Sequence, residues 1–153
     1  MADPRKAERP GARQVRWDLR FECTECGDCC TNRGDYAYVY VNREEVRQLA
    51  AHLELTTQAF RRRYTFRDED GWTQLQVRDR ACVFLDAESR RCTVYAARPV
   101  QCRTFPFWPG FVRKGRWTGD VRRLCEGIGR GKRHSRAQAE ARMAEFSEAE
   151  AQD

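Results

Sequence analysis

Four cysteines stand within eight residues in Cys23-Thr24-Glu25-Cys26-Gly27-Asp28-Cys29-Cys30, two successive C-x-x-C steps ending in an adjacent pair. Such spacing is that of a metal or cluster site. Two intervening residues let the chain turn back on itself, so that successive sulfurs face one centre while backbone N–H groups of the turn point toward the thiolates. Gly27 lies inside the turn, where a backbone without Cβ is most useful. Four more cysteines follow, Cys82, Cys92, Cys102 and Cys125, with nine residues between each of the first three. Eight thiols suffice for two tetrathiolate sites. A disulfide framework would need a secreted chain, and residues 1–20 lack the apolar core of a signal peptide.

A chain of 153 residues with 41% hydrophobic residues suits one modest domain. The composition divides it into a flexible leader over 1–16, a cysteine-cluster domain over 17–131 and a charged tail over 132–153, expected to be helical. No apolar run approaches the roughly 20 residues that span a bilayer, and reduced-thiol chemistry points to the cytoplasm. The formal net charge of +6 makes an acidic protein or a nucleic acid a candidate partner for the arginine-rich surface. Thiolates around metal ions would cancel much of that excess. Arg98, Arg103, Arg122 and Arg123, near cysteines in sequence, therefore read first as offsetting a negative site.

Along the chain, Trp17, Leu19 and Phe21 alternate with polar residues as a short half-buried strand does. Residues 36–41 are strand formers. Asn42 then reads as an N-cap with Glu45 three residues on, opening a helix whose core stripe is Val46, Leu49, Ala50 and Leu53 and whose His52 faces solvent. Thr56 or Thr57 caps a second helix carrying Phe60 and Tyr64 inward and Arg61, Arg62 and Arg63 on a solvated face. Residues 72–78 alternate like a strand. Segments 82–85 and 92–95 suggest a hairpin with its cysteines at the beginnings of opposed segments, so pairing alone does not unite them and each is free to serve a different site. The aromatic and proline run 105–109 is expected to be irregular and to wall a cluster from water. Glycines 127, 129 and 131 read as tight backbone packing near Cys125, since the apolar strand and amphipathic helix of a dinucleotide fingerprint are missing. A weakly anchored helix follows from Ser135. The fold class is a small, metal-stabilised α+β single domain with short strands, two or three short helices and much irregular structure.

Taken in order, these elements resemble the YkgJ-type cysteine-cluster family. The match comprises Cys23-x-x-Cys26-Gly27-x-Cys29-Cys30, Cys82-Val83-Phe84-Leu85, Cys92-Thr93-Val94-Tyr95 with Arg98-Pro99, Gln101-Cys102-Arg103-Thr104-Phe105-Pro106-Phe107, and Cys125 with Gly127-Ile128-Gly129-x-Gly131. It covers residues 21–131. The resemblance implies chelation of zinc or iron by the cysteines and leaves the reaction open.

Zinc and iron–sulfur clusters both accept four thiolates. The triple Cys23-x-x-Cys26-x-x-Cys29 is closer to ferredoxin-type ligation than to a zinc ribbon, so the spacing leans to an iron–sulfur cluster over zinc. Cys23, Cys26 and Cys29 are assigned to one centre, with Cys30, Cys82, Cys92, Cys102 and Cys125 completing it or forming another. Adjacent Cys29 and Cys30 would strain to cap one ion and instead face different centres or bridge two ions. Neither His52 nor His134 is needed. No nucleophile with its base, paired carboxylates or cofactor loop identifies a reaction. The alternatives are a cluster-dependent redox or protein-modifying enzyme and a metal-stapled module for nucleic acid or protein.

Overall fold

Local sequence signals start the helices where they were expected. In the computed structural model, which describes residues 15–31 and 38–150, Asn42 accepts a hydrogen bond from Glu45 N while the Glu45 carboxylate accepts one from Asn42 N, a complete capping box opening α1 (Arg43–His52). Thr56 caps α2 (Thr57–Tyr64) through Ala59 N. Val46, Leu49 and Ala50 of α1 are buried, as is Phe60 of α2, while His52 is exposed. These side chains join Val39, Val41, Leu75, Phe84 and Val94 in a first core.

All strands among the described residues are short and pair antiparallel in twos: β1 (Leu19–Phe21) with β8 (Ile128–His134), β2 (Thr65–Arg67) with β3 (Thr73–Leu75), β4 (Val77–Arg78) with β5 (Ala81–Cys82), and β6 (Val112–Arg113) with β7 (Arg116–Trp117). Three further helices, α3 (Val100–Thr104), α4 (Gly119–Leu124) and α5 (Arg136–Glu150), complete the small α+β domain. The described residues thus carry five α-helices where two or three were expected, because α3 and α4 run for only five and six residues and leave little periodicity to read. Residues 1–14 of the expected leader, and 36–37 of the strand expected over 36–41, lie outside the described residues. From Tyr38 the chain runs beside β3: Leu75 N donates to Val39 O, Val41 N to Thr73 O, and Tyr40 bridges Gln74.

A second core gathers Leu19, Phe107, Phe111, Trp117, Val121 and Ala139. This is where the 105–109 run goes. Its rings do not line the cysteine cavity; Phe107 packs against Trp117 at 5.1 Å and Trp108 stacks on Phe111 at 5.3 Å. The aromatics are buried as expected, but against one another. Helix α5 is better anchored than its weak amphipathicity predicts, through buried Ala139, the Phe146 ring stacked on Trp108 at 5.2 Å and an ion pair from Glu145 to Arg103.

Strand β8 brings the glycine run against β1. A Cβ on Gly127 would lie 2.1 Å from Glu22 O, a backbone atom with no freedom to yield. The expected tight packing holds at Gly127 and at Gly131, whose Cβ would lie 2.5 Å from Glu22 Cβ, but not at Gly129, where a Cβ would meet nothing within 4 Å. Gly127→Ala should therefore cost about 1–3 kcal/mol by overpacking. Gly110→Ala, whose Cβ would meet nothing within 4 Å, should leave the melting temperature unchanged. Thermal unfolding of the two variants checks the contrast.

Candidate metal centre

The loop that carries the first four cysteines is shaped by Gly27. It adopts φ +79°, and a Cβ there would stand 2.5 Å from Arg90 O of the 86–91 turn, so glycine meets two demands at once. Cys30 N donates to Gly27 O, forming a 3₁₀ turn over Asp28–Cys30, and Asp28 N donates to Cys26 Sγ at 3.4 Å. That N–H···S bond is the kind expected of a metal-binding turn. Thr31 bridges Ala81 and Arg90 pairs with Asp28 at 3.3 Å, fastening the loop to β5 and to the 86–91 turn.

Six of the eight cysteines, Cys23, Cys29, Cys30, Cys82, Cys92 and Cys102, line one cavity of about 260 Å³ at the edge of the first core, whose Val39, Leu75, Phe84 and Val94 form part of its wall. Cys82 and Cys92 thus come together after all. The 82–95 hairpin closes at the single bridge Leu85–Cys92 while Cys82 enters the β4–β5 pair, and this bend turns both sulfurs to the same space. Cys26 and Cys125 do not line the cavity. They sit to one side, where Glu22 N donates to Gly127 O and Thr24 Oγ1 to Glu126 Oε1. Cys125 lies within electrostatic reach of Cys26, Cys29 and Cys23.

The thiols differ in proton affinity. Cys30 shares hydrogen bonds with Cys29 and Cys92; they hold its own proton well above the usual thiol range, lower Cys29, and bring Cys92 down to about 6. Burial pushes Cys82 up to about 11, Cys125 to about 11, and Cys102 well above the ordinary range. The result is one proton shared between two sulfurs that favour the thiolate, beside neutral thiols that a nearby cation would deprotonate.

Of the arginines expected to offset a negative site, Arg98 lines the cavity and stacks over the Tyr95 ring at 3.7 Å, but Arg103 pairs with Glu145 and Arg123 with Asp120, and Arg122 is exposed. The sequence reading missed Tyr95, Arg90 and Arg91, which also line the cavity. Their only signal was proximity to Cys92. His134 stays apart from the cysteines, set between Phe21 and Phe107 with Nε2 against Phe21 O at 3.2 Å.

Among the described residues, no group of three or more His, Cys, Asp or Glu side chains is already drawn into ligation geometry. The donor set nonetheless fits a soft or borderline cation: thiols free of disulfides, gathered round a space that is apolar on its core side.

The family model CxxCxxCC, "Putative zinc- or iron-chelating domain", matches residues 22–144. The chain belongs to this cysteine-cluster family. The family resemblance drawn from the motifs is thereby shown, and the family's description supports metal binding. The uncharacterized protein MJ0661 of Methanocaldococcus jannaschii is 28% identical over 101 residues, 65% of this chain and 51% of that protein. The chain thus spans about half the length of this curated relative. No solved structure matches it. No helix among the described residues is long and apolar enough to cross a membrane.

If buried thiols become ligands, metal uptake releases protons and affinity rises with pH. Cys82 and Cys102 are protonated throughout the neutral range, so uptake at a centre using both displaces at least two protons, and log affinity should climb by about two or more per pH unit between pH 6 and 8. Competition against a chromophoric chelator measures the slope; a flat profile contradicts ligation by these two residues.

Proposed function

We propose that this member of the CxxCxxCC family carries an iron–sulfur cluster in the cavity lined by Cys23, Cys29, Cys30, Cys82, Cys92 and Cys102, with Cys26 and Cys125 forming a second thiolate pair beside it. The observation that carries this reading is the convergence of six thiols on one space of about 260 Å³. A tetrahedral zinc site closes four sulfurs on one ion. Six thiols are more than one zinc ion needs. The C-x-x-C-x-x-C spacing supports the same choice.

Such a group supplies one-electron redox chemistry and ties remote segments together. The protein's part is to hold sulfurs from the 23–30 loop, β5, the 82–95 hairpin and α3 around one volume. Cys23 and Cys29 are exposed as residues, leaving one side open to solvent and to a partner. Reduced thiols in this number belong in a reducing compartment, which supports a cytoplasmic protein.

Protein purified without oxygen should contain iron and acid-labile sulfide and show a broad visible absorption that bleaches on reduction. Zinc without colour would replace the cluster with a zinc centre, and absence of both metals would sink the chelating role. Cys102→Ser and Cys125→Ser should each remove part of the bound metal, and Cys29→Ser more than either. Equal, complete loss in all three would instead indicate one indivisible centre.

A further inference from the structure

A second cavity, of about 420 Å³, shares no lining residue with the cysteine cavity. Helix α3 gives Val100 and Gln101 to this cavity and Cys102 to the other. Three aromatic rings, Tyr40, Trp72 and Phe146, and three carboxylates, Glu45, Asp70 and Glu150, lie along its wall. Among the described residues, no lysine, arginine or histidine does. In a chain with 29 lysines and arginines among 153 residues, a lining of eleven drawn at random would hold about two. The acids therefore stand apart from the basic surface, and neither Asp70 nor Glu150 enters an ion pair among the described residues.

The rings are placed to receive something. Tyr40 and Trp72 remain 43% and 42% exposed, although they meet edge to face at 6.4 Å with an interplanar angle of 82°. Their setting is held from behind. The Gln101 side chain donates to Tyr38 O and accepts from Tyr40 N, the Glu45 carboxylate accepts from Asn42 N and Val100 N, and Phe146 is stacked on Trp108. A ring face attracts a cation through its quadrupole, and an adjacent carboxylate adds charge attraction without demanding tight coordination. A small hard metal ion fits poorly: Glu45 already spends both oxygens on backbone N–H groups, and the acids come from three separate elements. An anion is repelled. Partial burial, and after it the field of Asp68 and Asp70, pushes the Tyr40 phenol upward.

We infer that this cleft binds a small organic cation, an alkylammonium or guanidinium compound whose charged head sits between the Tyr40 and Trp72 rings and the Asp70 and Glu150 carboxylates. The volume is that of a small-molecule site, so the occupant is a diffusible amine. Its binding is independent of the metal assigned to the cysteine cavity.

Isothermal titration calorimetry on the full metal-loaded chain tests the site with butylammonium, agmatine and spermidine, and with butanol and butyrate as neutral and anionic controls. The cations should give saturable binding and the controls none. Trp72→Ala and Asp70→Asn should each weaken the cations about 5-fold or more, with melting temperature and metal content unchanged. Spermidine well ahead of butylammonium would identify a polyamine, and parity a compound with a single charged head. Absence of saturable heat with every cation up to about 10 mM, equal binding of butanol, or unaltered affinity in both variants would overturn the inference.

Discussion

Everything in this fold turns on sulfur crowded at the edge of a small apolar core. Three thiols, Cys82, Cys102 and Cys125, are held neutral by burial, while Cys30 shares its hydrogen-bonding capacity between Cys29 and Cys92. A proton is a weak substitute for a metal in such a place, because it satisfies two sulfurs at most. Among the described residues the supporting framework is slight: strands paired in twos, two cores and mostly short helices. An isolated two-stranded ribbon is marginal in water. A cation gripped by sulfurs from residues 23 to 125 would close long loops and add its binding free energy to folding.

Two close backbone approaches make the gathering feasible. At Gly27 the cysteine loop passes against Arg90 O, and at Gly127, immediately before β8, the chain passes against Glu22 O. The first sets the loop on the hairpin that carries Cys92. The second sets the same loop beside Cys125. Between them they place sulfurs separated by about a hundred residues of sequence in one region, and neither approach leaves room for a Cβ. The second core, built from Phe107, Phe111 and Trp117, takes no part in lining the cysteine cavity but seats α4 and β8, which carry the last cysteine into position.

What the sequence made legible was local. The α1 capping box, the Thr56 cap and the stripe of Val46, Leu49 and Ala50 depend on neighbours three or four residues apart, and all were readable. Cysteine identity was also readable, because thiols at C-x-x-C spacing have few other uses. Their grouping was not. Cys82 and Cys92 meet only because β5 pairs backward with β4, a choice fixed by packing. Strand β8 carries no apolar alternation and owes its form to β1, more than a hundred residues earlier. The aromatic run was rightly expected to be buried, yet which core receives it is a tertiary fact. The amine cleft draws on Tyr40, Trp72 and Phe146 from three distant segments, so no motif could announce it.

Metal held by these thiols, on the reading proposed above, maintains the fold. The most direct test is thermal unfolding, followed by near-ultraviolet circular dichroism, of the protein as purified, after metal removal under reducing conditions, and after metal is restored. The stripped protein should lose its cooperative transition and its aromatic signal, and reconstitution should return both. A stripped, fully reduced protein that melts at the same temperature with the same spectrum would contradict the claim.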